Sequence, residues 1–253
     1  MNKIILITGA TSGFGKAIAE KFASDGDHVI ITGRRAERLK EQEQSLISRY
    51  NVRVLPLVFD VQKKQQVESA IGKLPRDWQS IDILINNAGL AAGRDYFDEA
   101  SLDDWETMID TNVKGLLYVT KAVLPFLITN KKGHIINIGS TAAKEVYEKG
   151  NVYCATKSAV DALSQSMRID LLRHGIKVTA IHPGAAHTEF SLVRLKGDAS
   201  AAGKVYEGLQ PLTAEDVAGV VHYCTTLPPH VCVNDLVLTP TAQANSLYFH
   251  RST

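Results

Sequence analysis

Short apolar runs alternate with helix-length segments along the whole chain, and this alternation restricts the possible folds more than any other feature. The runs are Lys3–Thr8, His28–Thr32, Val52–Phe59, Ile81–Asn86, His134–Ser140, Lys177–His182 and Asp235–Thr239. Between them lie helix candidates at Gly15–Asp25, Glu37–Tyr50, Lys63–Leu74, Asp103–Asn130, Asn151–His174 and Thr213–Leu227. Strands that are apolar on both faces belong to a parallel sheet covered by helices, because parallel neighbours need crossovers of about a dozen residues. Right-handed crossovers then give a doubly wound, Rossmann-like α/β domain. Seven such strands in 253 residues leave room for one core, so 1–253 reads as a single domain. One connection, Gly184–Leu212, is unusually long for a compact domain and reads as a substrate-binding loop.

Charge and composition exclude several function classes. Lys plus Arg is 28 and Asp plus Glu is 27, a net charge of +1. That balance lacks the basic footprint of a protein that grips nucleic-acid phosphates. No apolar run approaches the roughly 20 residues that span a bilayer. The apolar start Ile4-Ile5-Leu6 reaches Thr8-Gly9 too soon for a signal peptide core. Cys154, Cys224 and Cys232 form no CxxC pair, so neither a disulfide framework nor a metal site is expected. The expectation is a cytoplasmic globular enzyme with no nucleic-acid or membrane partner.

The first strand runs into Gly9-Ala10-Thr11-Ser12-Gly13-Phe14-Gly15 and then a helix. Glycines there permit positive φ and close backbone approach, and the helix start offers free N–H groups to a pyrophosphate. The GxxxGxG spacing differs from the better-known GxGxxG, and a tight strand–helix link alone also uses glycine. The second strand ends at Gly33-Arg34-Arg35 with no acidic residue for a ribose 2′-hydroxyl. Two arginines supply forked donors for a 2′-phosphate, so NADP is the expected cofactor. Their alternative role is the solvated start of the next helix.

Tyr153 and Lys157 stand at i and i+4, on one helix face. An ammonium beside a phenol favours the phenolate, so Tyr153 is expected to titrate below its ordinary range and serve as an acid–base. Ser140 ends the fifth strand at the carboxyl edge, where open α/β sheets bind ligands. His182, before Pro183, reads as structural.

In register, these residues resemble the short-chain dehydrogenase/reductase family. The likeness spans essentially the whole chain: the turn Thr8–Gly15, Asp60-Val61, Asn86-Asn87-Ala88-Gly89, Asn112, Ser140, Tyr153 with Lys157, and Pro183-Gly184 with Thr188. The resemblance implies Tyr153 as acid–base, Ser140 as polariser of the substrate carbonyl and Lys157 as partner of both Tyr153 and the nicotinamide ribose. It implies Asn112 as holder of a relay water. Asp60 and Val61 would meet the adenine, Asn87 its ribose, and Pro183, Gly184 and Thr188 the nicotinamide end, with Ala88 and Gly89 beside them. It also implies a homotetramer built on the two long helices and the last strand.

The stretches Asp104–Asn112, Gly133–Thr141, Thr188–Arg194 and Lys196-Gly197-Asp198 look like one branch of that family. Its members are NADP-dependent 3-hydroxy acid dehydrogenases, and similar enzymes reduce sulfoacetaldehyde. Such substrates carry an anion close to the reacting carbon and need a fixed cation near Ser140 and Tyr153. Arg194 is the first candidate and Lys196 the second, with the Tyr147 hydroxyl as a further donor. Arg94 and the stretch Ala143-Lys144-Glu145-Val146 depart from that branch's pattern. A reductase of neutral carbonyls and a non-catalytic dinucleotide sensor are the competing readings.

Overall fold

The structure, a computed structural model, describes residues 2–252. Seven parallel strands form one sheet: β1 (Ile4–Ile7), β2 (His28–Gly33), β3 (Val54–Val58), β4 (Ile83–Asn86), β5 (Gly133–Ile138), β6 (Ile176–Pro183) and β7 (Asp235–Leu238). Their order is β3-β2-β1-β4-β5-β6-β7, so the winding reverses at β1. A reversal leaves a crevice at the carboxyl ends of β1 and β4, where open α/β sheets bind ligands.

Alternate residues of each strand feed two cores, one on each face of the sheet. Ile5, Ile7, Val29, Ile31, Ile83, Ile85, Ile136 and Ile181 face α1 (Gly13–Ser24), α2 (Ala36–Tyr50) and α9 (Ala214–Thr226). Ile4, Leu6, Ile30, Leu84, Ile135 and Val178 face α3 (Lys64–Gly72), α5 (Leu116–Thr129) and α6 (Asn151–Asp170). Burial on both faces is the reason the strands read as continuous apolar runs. Pro56 is tolerated because β3 lies at the sheet edge.

Two expected helices are reshaped. The segment expected as one helix over Asp103–Asn130 is α4 (Leu102–Ile109), a wider π-helical turn over Asp110–Gly115, and α5. Such a turn carries one residue more than an α-turn and re-aims its side chains, here Asn112. The second long helix ends earlier than His174. It closes as α6, followed by a 3-10 turn at Leu172–His174 that stops at Gly175 with φ +66°.

The 184–212 connection is not irregular throughout, contrary to the expectation. It contains α7 (Phe190–Arg194) and α8 (Ala199–Lys204), and its base is tied by Ala186 pairing with Leu212. Among the described residues no helix is long and apolar enough to cross a membrane.

Candidate active site

A cleft of about 690 Å³ opens at the carboxyl edge over the β1/β4 reversal. At one end lies the glycine turn. Gly9 and Gly13 adopt φ +66° and +49°, and a side chain on Gly15 would collide with the Gly9 carbonyl. Gly15 therefore serves the packing of α1 on the turn and does not line the cleft. Ser12 stands at the N-cap of α1 without a capping side-chain bond, which leaves the first N–H groups of the helix for an anion.

Arg35 reaches over this turn. Its guanidinium donates to Thr11 Oγ1 at 2.6 and 3.0 Å and to Ser12 Oγ at 2.8 Å, and contacts Glu189 at 3.1 Å. Arg38 donates to the same Glu189 carboxylate at 2.8 Å. Partial burial pushes the Glu189 carboxyl upward, but the two guanidiniums outweigh it and hold it below the usual range. Arg34 is largely exposed, pairs at 3.7 Å with Asp60 and lines the cleft beside Arg35, whereas Arg38 meets Glu189 and does not line it. Thr8 Oγ1 accepts the backbone N–H of Asn87 and Ala88, while the Asn87 amide donates to the Thr8 and Gly9 carbonyls. Asn87 thus locks the turn to β4 as well as lining the cleft. Asp60, Val61, Ala88, Gly89, Pro183, Gly184 and Thr188 also line it.

The other end holds Ser140, Tyr153 and Lys157 together. Ser140 Oγ accepts the Ala142 N–H at 3.1 Å, which leaves its O–H free to donate into the cleft. Tyr153 is buried, and burial pushes its phenol well above the ordinary range, with Ser140 and Arg194 opposing. The expected lowering by Lys157 is therefore overturned in the chain by itself. The same burial draws the Lys157 ammonium down to about 8, and its Nζ donates to the Ile138 carbonyl at 3.0 Å. Asn112 is buried below the cleft, held by Leu90 through two backbone bonds of 2.8 Å and donating to Thr156 Oγ1 at 3.0 Å.

A family model described as short chain dehydrogenase matches residues 3–196. The chain belongs to the short chain dehydrogenase family. The NADP-dependent 3-hydroxy acid dehydrogenase YdfG of Salmonella typhi is 48% identical to it, over 98% of this chain and 100% of that protein. Sulfoacetaldehyde reductase 2 of Chromohalobacter salexigens is 47% identical, over 98% of each chain. The closed form of a serine dehydrogenase complexed with NADP+ superposes with a TM-score of 0.91 at 48% identity, covering 98% of this chain and 100% of that one.

In this short chain dehydrogenase the end of the cleft that holds Tyr153 also carries Arg194 and Arg94. Arg194, the last residue of α7, donates to the Tyr147 hydroxyl at 2.9 Å and lies 5.4 Å from the centre of the Tyr153 ring. Burial raises the Tyr147 phenol, with Arg194 and Arg94 acting against it. Arg94 lines the same cleft. Lys196 does not join them. Its ammonium is bound to Asp104 at 2.8 Å and it is absent from the cleft wall, because a left-handed turn at φ +52° carries it outward.

Sequence reading missed Arg38 and Phe190, whereas the apolar tail Asn245–Thr253 is expected from its Leu247, Tyr248 and Phe249 either to dock on a neighbouring subunit or to cover a pocket. Arg38 follows Arg35 by three residues on one helix face, a signal present in the spacing. Phe190 packs on Tyr153 with ring centres 5.7 Å apart. Gln243 Oε1 accepts the Ala185 N–H at 2.8 Å, and Gln243, Ser246, Phe249 and Arg251 close one side of the cleft. The tail thus covers the pocket of its own chain, while Leu247 and Tyr248 stay exposed. Its last residue lies outside the described residues.

Three ligating side chains converge where none was expected: Asp161, His182 and Asp235. Lys144 Nζ already sits between the two carboxylates, at 2.9 and 2.7 Å.

Proposed function

We propose that this enzyme transfers hydride between NADP(H) and a small anionic β-hydroxy acid or its aldehyde, such as serine, allo-threonine, 3-hydroxypropionate with malonic semialdehyde, or isethionate with sulfoacetaldehyde. The observation that carries the reading is Arg194 held by Tyr147 against Tyr153, in one cleft with Ser140 and Lys157. The residues fit the cofactor: an uncapped helix start meets a pyrophosphate, and Arg34 with Arg35 lines the cleft where a 2′-phosphate would lie. The relatives' names support the same pairing of cofactor and substrate class.

When bound, NADPH supplies the hydride that turns the substrate carbonyl into an alcohol. Ser140 donates to the carbonyl oxygen and Tyr153 gives it a proton, a role suited to a phenol that burial keeps protonated. Lys157, near 8, exchanges its own proton close to working pH and returns one toward the phenol. Asn112 fixes Leu90 and Thr156 behind it and orients the relay water. Arg194, with Tyr147 and Arg94, binds the carboxylate or sulfonate.

The enzyme is assigned to the cytoplasm, in keeping with three free cysteines. We also assign it a homotetrameric assembly, supported by exposed Ile169, Leu172 and Val237 on α6, its terminal turn and β7. Leu116, Val119 and Val123 of α5 are buried in the chain itself, while Leu117 is exposed.

The test is initial-rate NADPH oxidation with malonic semialdehyde and sulfoacetaldehyde, and NADP+ reduction with L-serine and 3-hydroxypropionate. Tyr153→Phe is expected to lose at least about a hundredfold in kcat. Arg194→Ala is expected to raise KM for the anionic substrate by roughly tenfold or more. Turnover of uncharged carbonyls alone would discard the anion pocket. Cofactor binding with no turnover of any carbonyl would favour the sensor.

A further inference from the structure

His182 is the penultimate residue of β6, with its side chain fully buried. Its ring lies flat on the main chain just before Ser140, where a Cβ on Gly139 would approach Cε1 to 2.7 Å. Nδ1 is 3.2 Å from the Ser140 carbonyl oxygen. A carbonyl only accepts, so Nδ1 carries the hydrogen and donates. Burial, with Lys144 adding to it, lowers the ring's pKa and favours its neutral form, so Nε2 carries a lone pair and has no hydrogen-bond partner, with Asp235 Oδ1 at 2.9 Å and Asp161 Oδ1 at 3.7 Å.

Each member of this group comes from an element that also delivers a residue to the cleft. Lys144 follows Ser140 by four residues. Asp161 follows Lys157 by four on α6, one turn further along the helix that carries Tyr153. His182 precedes Pro183 and Gly184, and Asp235 starts β7. None of the four lines the cleft. Lys144 neutralises both carboxylates beside the ring.

We propose that His182 is a positioning residue for the reaction. It clamps the Ser140 carbonyl through Nδ1–H and thereby sets the Ser140 hydroxyl at hydrogen-bonding height beside Tyr153. Lys144, four residues after Ser140, pairs with Asp161 of α6 and ties the same turn to that helix, so that the carbonyl polariser and the acid–base keep one geometry. Misplacing a reacting group by about an ångström costs on the order of a hundredfold in rate, so a clamp of this kind has leverage on kcat without touching substrate. The proposal rests on the reading of Ser140 and Tyr153 given above.

The experiment compares kcat, KM and NADPH affinity by fluorescence for His182→Leu, His182→Asn, His182→Ala and Ser140→Ala. His182→Leu is expected to lose roughly tenfold or more in kcat with NADPH affinity within about twofold. His182→Asn, whose amide N–H replaces Nδ1–H, is expected to recover kcat to within about threefold of the parent. Equal losses in the Leu and Asn variants, or a Leu variant with parental kcat, would overturn the proposal. Should the Leu variant not fold, His182→Ala decides: it removes the donor without adding bulk, and the expected loss is again roughly tenfold in kcat at unchanged NADPH affinity. Parental kcat there overturns the clamp as drawn. Ser140→Ala separates the two levels: parental activity in that variant removes the reading of the site itself, whereas inactivity beside fully active His182 variants removes only the clamp.

Discussion

At the scale of single residues, charge placement decides cofactor choice. Arg35 makes three donations across the glycine turn and shares Glu189 with Arg38, while Arg34 leans on Asp60 and solvent. A charge-assisted bond to a phosphate is worth about 1.5–3 kcal/mol, so losing one costs roughly tenfold to a hundredfold in affinity. Arg35→Ala is therefore expected to lower kcat/KM for NADPH by that factor and leave NADH nearly unchanged. Arg34→Ala is expected to change the NADPH/NADH ratio far less. Steady-state kinetics with both cofactors measures this, and equal effects of the two substitutions would reject the assignment.

At the scale of elements, a buried histidine couples strand packing to pH. His134 on β5 meets Thr179 Oγ1 on β6 at 2.7 Å, and that hydroxyl donates to the Val233 carbonyl at 2.6 Å. The threonine hydrogen is spent there, so Nε2–H of His134 is the donor between them and Nδ1 is left buried without a partner. Burial, with Lys177 and Lys3 adding to it, lowers the ring from 6.5 to about 3. The unfolded chain binds this proton first as pH falls, so stability drops between about 6.5 and about 3. Two pH units below 6.5 the loss is roughly 2–3 kcal/mol. His134→Gln keeps an N–H for Thr179 and does not titrate. Its Tm is expected to fall less steeply than the parent's between pH 6.5 and 4.5 by circular dichroism, and parallel curves would exclude this cause.

At the scale of the whole molecule, the cleft is closed by pieces remote in sequence. α7 brings Arg194 from above, and the tail brings Gln243 and Phe249 from the side. Arg251 donates to the Val205 and Glu207 carbonyls, and Ser252 N–H to Gly208, so the tail also fastens the loop over the cleft. The exposed apolar residues Ile169 and Leu172 lie away from this closure, each about three-quarters exposed. Multi-angle light scattering is expected to give four times 27.6 kDa, and Ile169→Asp with Leu172→Asp to give a smaller species. A parental monomer would end the assembly proposal.

The parallel sheet, the phosphate turn and the Ser140–Tyr153–Lys157 grouping were legible in the amino-acid order because each rests on local patterning. Strand apolarity, glycine spacing and an i, i+4 pair need no knowledge of distant contacts. Arg194 stands ahead of Lys196 there only on the forked geometry of a guanidinium. Only the folded loop shows one guanidinium turned onto Tyr147 and one ammonium turned out to Asp104. The same holds for the wider turn at Asn112, for the cluster of Lys144, Asp161, His182 and Asp235, and for the raised Tyr153 phenol. The local i, i+4 rule points to a lowered phenol pKa at Tyr153. Desolvation outweighs it, because the penalty depends on how completely the rest of the chain excludes water from that side chain.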